Sequence, residues 1–526
     1  MIRLLSTILL LNLLFIAPLW WRFSDISSHL LAWEALIIAS LMLLLPRGKA
    51  RLIAAVGLVS WVVLATATSL GTAATHMAFA RPLNLYLDLP LLSAVYNLLE
   101  GNLGQFLAVC AMLAGAALLL AITAGLAWLL LPPASFAIKR LPRAVALALL
   151  VIATSGAALE LKGMRLVDSA RLPLVNITRF QWQQITATHA ARSEFTAQLK
   201  DAPMQAQALP GLEGHNVLLT FIESYGISAL NDPRYADVLL PTLAEMQQRL
   251  EARNLHVVSG MLEAPIRGGQ SWLAHATTLS GRWIDNQLWY RLMLDSDHST
   301  LIDDFRATGQ RTLAVMPAIT MAWPEGKIYG FDEIVAAKDI DYAGPALNWV
   351  TMPDQFTLDY TQKHLLGDSP VFAQQALISS HAPWTPILPV IEDWSLIEDG
   401  RIFTPWENAG DPPEVLWKDI ERIRDHYAWS VDYAVKVTGR WAERVVDDKT
   451  LMIVLGDHQP APLITGGNAS AAVPVHIISA DPALLAPFIA RGFVPGTLPA
   501  LEQAANAPRM SELRHWLQAD FGEPVR

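Results

Sequence analysis

The segment Asn216-Val-Leu-Leu-Thr-Phe-Ile-Glu223 is a continuous apolar run that ends in a carboxylate. Buried parallel strands are apolar on both faces, so a run of this kind predicts a strand in the middle of a sheet. Four further apolar runs alternate with segments of helical periodicity, namely Leu313–Met316, Val371–Ile378, Leu451–Leu455 and Val475–Ile478. This alternation predicts an α/β domain with a largely parallel central sheet.

Polar residues stand directly after three of these runs. Glu223 follows the first run, Ser379-Ser380-His381 follows the third, and Gly456-Asp457-His458 follows the fourth. Taken singly, a carboxylate after a strand is often a helix cap, and a histidine there is more often structural than catalytic. Ligands of open α/β sheets gather at the carboxyl ends of the strands. Two acids and two histidines at one sheet edge therefore predict a metal site with oxygen and nitrogen ligands.

A candidate nucleophile lies in the segment Arg267-Gly-Gly-Gln-Ser271-Trp-Leu-Ala-His275. The two glycines allow a sharp turn, and the residues after Ser271 suit a helix. A serine at a helix N-terminus can be a simple N-cap. Held against a divalent cation, its hydroxyl can instead ionise and attack phosphorus.

The first 160 residues contain few charges and predict an α-helical membrane domain. Five apolar stretches have approximately the length that crosses a bilayer: Leu4–Trp20, Leu30–Leu45, Leu52–Ala73, Leu103–Leu131 and Ala144–Leu159. The first also has the basic start of a signal peptide, but it lacks a small-residue cleavage pattern and four further stretches follow it. We therefore expect a retained first helix and a multi-pass protein.

The distribution of basic residues in the short loops predicts the orientation. The short loops on one side of the membrane carry only Arg22 and Arg81. The loops on the other side, which we call the basic side, carry Arg3, Arg47, Lys49, Arg51, Lys139, Arg140 and Arg143. By the positive-inside rule the basic side is cytoplasmic, so five spans place residues 161–526 outside the cytoplasm.

Composition excludes several classes of protein. The chain of 526 residues is 53% hydrophobic and 16% charged, and its net charge is −10. This acidic balance argues against a nucleic-acid partner. Cys110 is the single cysteine, so the chain can form neither an internal disulfide nor a cysteine-based zinc site.

The motifs together resemble the alkaline-phosphatase/sulfatase superfamily, and within it the membrane branch of lipoteichoic acid synthases and phosphoglycerol and phosphoethanolamine transferases. The run ending in Glu223 is similar to the first strand of that family, with its metal-binding acid. Asp457-His458 is similar to its late metal pair, and Ser379-Ser-His381-Ala-Pro383 to the segment whose histidine contacts phosphate. Ser271 lies ten residues before Gly281, as the nucleophile of sulfatases lies before the closing glycine.

The resemblance implies a set of roles for these residues. Glu223, Asp457, His458 and the Ser271 hydroxyl would hold one divalent metal ion, zinc or manganese. Ser271 would be the nucleophile and His381 would stabilise the phosphoryl group. His275 occupies the position of a sulfatase arginine, so it is a second candidate for contact with the substrate, with solvent exposure or packing as the alternative.

The chain also departs from these relatives. Many transferases of the branch carry threonine as the nucleophile, where this chain has Ser271. The sulfatase signature that directs oxidation to formylglycine needs proline and arginine after the nucleophile, and here Trp272, Leu273, Ala274 and His275 follow instead. We therefore expect an unmodified serine.

The sequence thus predicts three parts: a five-helix membrane domain in residues 1–160, an amphipathic connector in 161–210, and an extracytoplasmic sulfatase-like catalytic domain in 211–526. The resemblance implies transfer of a phospho-head group, phosphoglycerol or phosphoethanolamine, from a membrane phospholipid to a glycan or lipid of the cell envelope. The setting would be a bacterial inner membrane with the catalytic domain in the periplasm. Two alternatives stay open: a membrane-anchored sulfatase or phosphodiesterase, and a non-enzymatic relative that serves as a scaffold or sensor.

Overall fold

The structure is a computed structural model that describes residues 2–23, 26–46, 48–89, 92–131, 140–201 and 204–523. Arg47 and Lys139, two of the basic residues that predict the orientation, lie outside the described residues. The chain forms two compact units, Met1–Met77 with Arg81–Ser193, and Ala78–Ala80 with Glu194–Arg526. The division falls inside the segment expected to be a connector.

The first unit is helical. In chain order its elements are α1 (Ile2–Phe23), β1 (Leu31–Ala32), α2 (Trp33–Leu44), α3 (Lys49–Phe79), α4 (Leu85–Asp88), α5 (Leu92–Leu130, with a non-helical residue at Gly104), α6 (Arg140–Leu161), β2 (Ala170–Arg171) and α7 (Pro173–Asp201), whose last residues belong to the second unit. Among the described residues, four segments are long and apolar enough to cross a membrane: Leu4–Phe23, Lys49–Phe79, Gly104–Leu130 and Leu141–Leu161.

The second expected span differs from the prediction. Helix α2 has only 12 residues, or about 18 Å at 1.5 Å per residue, whereas the hydrocarbon core is about 30 Å thick. Its start is displaced because Leu31 and Ala32 pair with β2 as a short parallel strand. Its end is set by Pro46, because the residue before a proline avoids the helical conformation, and Leu45 is extended with ψ 134°.

Contacts at the helix ends show the direction of five helices in this unit. Arg22 near the end of α1 bonds to His76 near the end of α3, at 2.8 Å. Arg51 at the start of α3 donates to the carbonyl of Leu130 at the end of α5. The pairing of β1 with β2 brings the chain after α6 beside the start of α2. Arg171, which follows α6, lines the same cavity as Arg22 near the end of α1. Hence α1, α3 and α6 run one way, and α2 and α5 run the other way.

The second unit is an α/β domain built on one eight-stranded sheet. The strands are β3 (Asn216–Ile222), β4 (His256–Glu263), β5 (Arg311–Met316), β6 (Glu333–Ala336), β7 (Val371–Leu377), β8 (Thr450–Gly456), β9 (Ala472–Ser479) and β10 (Val494–Pro495). Their order is β10-β4-β9-β8-β3-β7-β5-β6. The five strands from β8 to β6 are parallel, and β9 is antiparallel to both β8 and β4. The predicted α/β class with a largely parallel sheet is confirmed.

Helices cover both faces of this sheet. They are α8 (Ser228–Asn231), α9 (Pro233–Ala252), α10 (Ser271–Ser280), α11 (Gln287–Leu294), α12 (Leu301–Thr308), α13 (Pro324–Tyr329), α14 (Asp354–Tyr360), α15 (Pro413–Leu416), α16 (Ile420–Val445), α17 (Pro462–Thr465), α18 (Ala486–Ala490) and α19 (Glu512–Phe521). Alternate residues of β3 face opposite cores: Leu218 and Ile222 pack in the core with α9 and α16, and Leu219 and Phe221 in the core with α10, α12 and α19. Burial on both faces explains why the central strands are continuous apolar runs.

Candidate metal and nucleophile site

Three adjacent strands deliver the candidate ligands to one edge of the sheet. The three strands are adjacent in the order β8-β3-β7. Ile222 of β3 pairs in register with Gly456 of β8 on one side and with Leu377 of β7 on the other. The residues that follow, Glu223 after β3 and Asp457 after β8, therefore emerge side by side. A Cβ on Gly456 would lie 1.8 Å from the backbone oxygen of Tyr225. Only glycine fits where these two chain segments approach each other.

Glu223 is buried and makes specific contacts with its side chain. One carboxylate oxygen accepts a hydrogen bond from the Ser271 hydroxyl at 2.9 Å, and the other accepts one from the Ser224 hydroxyl at 3.0 Å. The next helix, α8, begins only at Ser228 and has Ile227 at its N-cap. Glu223 is therefore not a helix cap, and its carboxylate faces the candidate nucleophile.

Asp457 and His458 complete a tight buried group. Asp457 accepts hydrogen bonds from the backbone N–H of Ser224 at 2.8 Å and of His458 at 2.7 Å, which fix its orientation. Nδ1 of His458 lies 2.9 Å from the carbonyl oxygen of Gln459, so that nitrogen carries the hydrogen. Nε2 then faces the Glu223 carboxylate at 3.3 Å and the Ser271 hydroxyl oxygen at 3.3 Å.

Charge in this group is strongly coupled. Burial and the neighbouring Glu223 carboxylate raise the pKa of Asp457. Burial acts to raise the pKa of Glu223 as well, but His458 outweighs it and the pKa falls. Burial acts to lower the pKa of His458, and the two carboxylates outweigh it and raise that pKa. Two buried carboxylates thus require positive charge beside them, from protons or from a cation.

The donor set fits a divalent cation. Ligand atoms of Glu223, Asp457 and His458 all lie within 4.8 Å of one another, and all three residues are buried. Two carboxylates and one imidazole nitrogen suit zinc or manganese. The bond from His458 Nδ1 to a backbone carbonyl is the outer contact that commonly orients a metal-binding histidine. The Ser271 hydroxyl is placed to be a fourth ligand.

A strained turn presents Ser271 at the start of α10. Gly268 and Gly269 have φ values of 73° and 136°, as the glycine pair predicted, and Gln270 is also left-handed with φ 67°. Gln270 occupies the N-cap position, so Ser271 is the first residue of the helix. Its hydroxyl donates to Glu223 rather than to a backbone group. The structure therefore contradicts the alternative that Ser271 is a helix cap.

His381 follows β7 and lines the same cavity as Glu223, Ser271 and Asp457. Its Nδ1 lies 2.6 Å from the carbonyl oxygen of Ala382, and its ring stacks on Trp349 with centroids 5.3 Å apart. With Nδ1 donating to that carbonyl, Nε2 can donate to a ligand only when the imidazole is protonated.

The loop that carries His381 is held by a residue that sequence reasoning missed. The fully buried Asp354 accepts hydrogen bonds from the backbone N–H of Ile378 at 2.7 Å and of Ser379 at 2.9 Å. The Ser380 hydroxyl donates to the backbone oxygen of Glu223 at 2.6 Å, which ties this loop to the metal-binding edge. Asp354 lies far from any strand end, so no motif indicated it.

His275 also lines the cavity, one helical turn after Ser271. Its ring packs against Phe221 at 4.1 Å between centroids. Burial lowers the pKa of His275 to about 4, so the ring is neutral at physiological pH. Its Nε2 is enclosed and has no hydrogen-bond partner among the described residues. The position fits the expected substrate contact, and the ring packing fits a structural role equally.

The cavity at the site has a volume of about 240 Å³ and mainly apolar walls. Five aromatic residues besides the histidines line it: Trp272, Tyr290, Trp323, Tyr329 and Trp349. Its lining as described in the structure includes no lysine or arginine. Gln374 of β7 lies on its wall at 1% exposure, and its side-chain oxygen has no partner among the described residues. Positive charge for a bound anion would therefore have to come from a cation held by the buried carboxylates or from a histidine of the wall.

No protein-family model matches the chain, and no curated protein matches it. Several solved structures do. The crystal structure of the lipoteichoic acid synthase LtaP from Listeria monocytogenes matches 55% of this chain and 71% of its own, with 12% identity and a TM-score of 0.35. The crystal structure of the C-terminal periplasmic domain of EcEptC from Escherichia coli matches 61% of this chain and 86% of its own, with 14% identity and a TM-score of 0.37.

A third match is the phosphoglycerol transferase GacH of Streptococcus pyogenes in complex with sn-glycerol-1-phosphate. The match covers 64% of this chain and 85% of the GacH chain, with 12% identity and a TM-score of 0.35. LtaP and GacH carry names from the branch that the sequence motifs resemble. Likenesses of this extent do not assign a role to any residue of this chain.

Proposed function

We propose that the chain transfers a phospho-head group from a membrane phospholipid to an acceptor in the cell envelope through a covalent intermediate on Ser271. The observation that carries this proposal is the hydrogen bond of Ser271 to Glu223 at 2.9 Å, within a buried group of two carboxylates and one imidazole. A serine hydroxyl so placed is an activated nucleophile rather than a structural cap.

Glu223, Asp457, His458 and the Ser271 hydroxyl would hold one divalent cation, zinc or manganese. Such a cation supplies Lewis-acid stabilisation of an alkoxide and of phosphoryl oxygens. The residues of the chain orient the reaction: the Ser271 hydroxyl gives up its proton and its oxygen forms a bond to phosphorus. The bond from phosphorus to the diacylglycerol oxygen breaks, and that oxygen takes up a proton. An acceptor hydroxyl of a glycan or lipid then displaces Ser271 and gives up its proton.

His381 would stabilise the phosphoryl oxygens as negative charge develops. In its protonated form, Nδ1 donates to the Ala382 carbonyl and Nε2 is free to donate into the cavity. Stacking on Trp349 and the Asp354 contacts hold the ring and its loop in place. Charge-assisted donors aimed at a transition state contribute about 10²–10³ in rate.

The aromatic walls favour phosphoethanolamine over phosphoglycerol as the head group. An ammonium group is stabilised over aromatic faces by about 0.5–2 kcal/mol, whereas a glycerol hydroxyl needs polar partners. Gln374 supplies one such partner on a wall that is mainly apolar. Comparing diacylglycerol release from phosphatidylethanolamine and phosphatidylglycerol at equal concentration tests the choice. Faster release from phosphatidylglycerol would contradict it.

The membrane helices would give the enzyme access to its lipid donor. We place the chain in a bacterial inner membrane with the second unit in the periplasm, because the basic residues of the short loops collect on the opposite side. The shared direction of α1, α3 and α6 supports this arrangement.

Mass spectrometry of the protein after incubation with phospholipid tests the intermediate. The peptide with Ser271 should gain the mass of one phospho-head group while diacylglycerol is released. Ser271→Ala should abolish both, and Ser395→Ala, a control in an exposed turn of the same unit, should change neither. Formylglycine at Ser271 would instead indicate a sulfatase, and wild-type turnover of Ser271→Ala would refute the proposal.

A further inference from the structure

A second cavity, of about 340 Å³, lies within the helical unit. All its lining residues come from α1, α3, α7 and the segments beside them, and none belongs to the group around Ser271. It lies at the end of the unit where α1 and α3 finish, because Arg22 of the wall bonds to His76 of α3.

Two arginines, Arg22 and Arg171, give this cavity positive charge. Arg22 contacts the imidazole of His76 and the ring of Phe23, neither of which compensates its charge. Arg171 donates from Nη1 to the backbone oxygens of Asp168 and Ala170. Among the described residues, no aspartate or glutamate lines the cavity, and Glu160, which interacts electrostatically with Arg171, lies outside the lining. The hydrogen bonds described for the two arginines use Nη2 of Arg22 and Nη1 of Arg171, which leaves the other terminal nitrogen of each without a partner among the described residues.

The other walls are those of a lipid site. Leu19, Phe23, Ile177 and Phe180 are apolar, and α1 exposes apolar side chains along its length. Thr72 of α3 also lines the cavity at 2% exposure, and its hydroxyl has no hydrogen-bond partner among the described residues. A buried hydroxyl without a partner costs stability, so it indicates a polar group that belongs beside it.

The depth of the cavity matches the lipid headgroup region. About 20 helical residues cross the hydrocarbon core. Counted from Lys49, the start of α3, this length ends near Ser69, which lines the cavity together with Thr72. The arginines therefore lie at the level of lipid phosphates, and the apolar walls continue toward the acyl chains.

We propose that this cavity binds a phospholipid, with the phosphate between Arg22 and Arg171 and the acyl chains along the apolar walls. Arginine is suited to this contact because its planar group donates two parallel hydrogen bonds to phosphate oxygens. The site is separate in its residues from the proposed transferase chemistry and does not depend on it.

Native mass spectrometry of the full chain in detergent tests the proposal, with phosphatidylglycerol as the probe. The wild-type protein should retain one lipid. Arg22→Gln and Arg171→Gln should each weaken its retention by about tenfold, the usual effect of one charge-assisted contact. The matched control is Arg179→Gln, an exposed arginine of α7 outside the cavity, which should retain lipid as the wild type does.

Three further measurements make the result decisive. Arg22→Lys keeps the charge and should recover part of the retention if Arg22→Gln fails to fold. Ser271→Ala should retain the lipid fully, so a failure of the transferase proposal is distinguishable from a failure here. Excess inorganic phosphate should not displace the lipid. Equal retention in the wild type and both glutamine variants, or displacement by phosphate alone, would overturn the proposal.

Discussion

Replacement of Asp354 tests how the loop that carries His381 is held. Its buried side chain accepts two backbone hydrogen bonds from the residues just after β7, and its second oxygen has no partner among the described residues. Burial raises the pKa of Asp354 to about 6 against the bonds from Ile378 and Ser379, which act to lower it. Its ordinary value is 3.8.

The sign of the resulting pH dependence follows from these two values. Between about pH 4 and pH 6 the folded state binds the proton of Asp354 and the unfolded state does not, so the free energy of unfolding falls as the pH rises through this window. The difference between the two pKa values corresponds to about 3 kcal/mol of unfolding free energy. This contribution is lost by about pH 7. Asp354→Asn keeps an acceptor toward Ile378 and Ser379 but cannot ionise, so this component should be absent from the variant.

Denaturant unfolding of the full chain, followed by tryptophan fluorescence, measures the effect at about pH 4 and about pH 7. The difference in unfolding free energy between the two pH values should be smaller in Asp354→Asn than in the wild type by about 3 kcal/mol. An equal pH dependence in the two proteins would refute the assignment of this component to Asp354.

Asp354→Ala is the complementary change. It leaves two buried N–H groups without an acceptor, at a cost of about 1–3 kcal/mol each. Turnover should fall because the 378–381 loop loses its anchor, whereas Asp354→Asn should preserve most of it. Wild-type turnover in the alanine variant would show that the position of His381 does not depend on Asp354.

Four further predictions concern the site and the membrane unit. Elemental analysis should find about one zinc or manganese per chain, and Asp457→Ala or His458→Ala should each lower this content; full activity after thorough chelation would contradict it. His381→Ala should slow formation of the Ser271 intermediate by about 10²–10³ in rapid-quench assays without unfolding the domain, and a smaller effect than tenfold would exclude the proposed role. Gly456→Ala should lower the thermal midpoint of unfolding by several degrees because its Cβ would collide with backbone, and an unchanged midpoint would refute that contact. Reporter fusions after residue 50 and near 140 should report the cytoplasm, and fusions near 90 or after 165 the periplasm; a cytoplasmic signal after 165 would refute the proposed orientation.

The sequence was sufficient for the central part of the fold because β3 and β8 are buried on both faces and therefore read as apolar runs. It was insufficient for β4, whose residues His256–Glu263 include Ser259 and Gly260 and so break the pattern. That strand is held by antiparallel pairing with β9, a long-range contact that no local pattern records. The helix α2 was predicted, over Leu30–Leu45, but its shorter length was not, because its start is set by the pairing of β1 with β2.

The candidate site shows the same division. Glu223, Asp457 and His458 could be predicted because they stand within two residues of a strand end, and parallel strands bring such residues together at one edge. The left-handed Gln270 and the stacking of Trp349 on His381 could not, since both depend on how distant loops pack. Strain and loop contacts of this kind accumulate around sites where side chains must be held in fixed positions.

The two proposed anion sites differ in how they supply positive charge, and this difference allows them to be tested against each other. The cavity at Ser271 has no lysine or arginine among its described lining residues, so phosphate there depends on a cation held by the buried carboxylates and on His381. The cavity of the helical unit instead has Arg22 and Arg171, whose charge needs no metal. Chelation should therefore abolish transfer to Ser271 while the lipid remains bound to the helical unit. Loss of that lipid on chelation would mean that a cation also contributes to the helical site, and the arginine pair would not account for its binding.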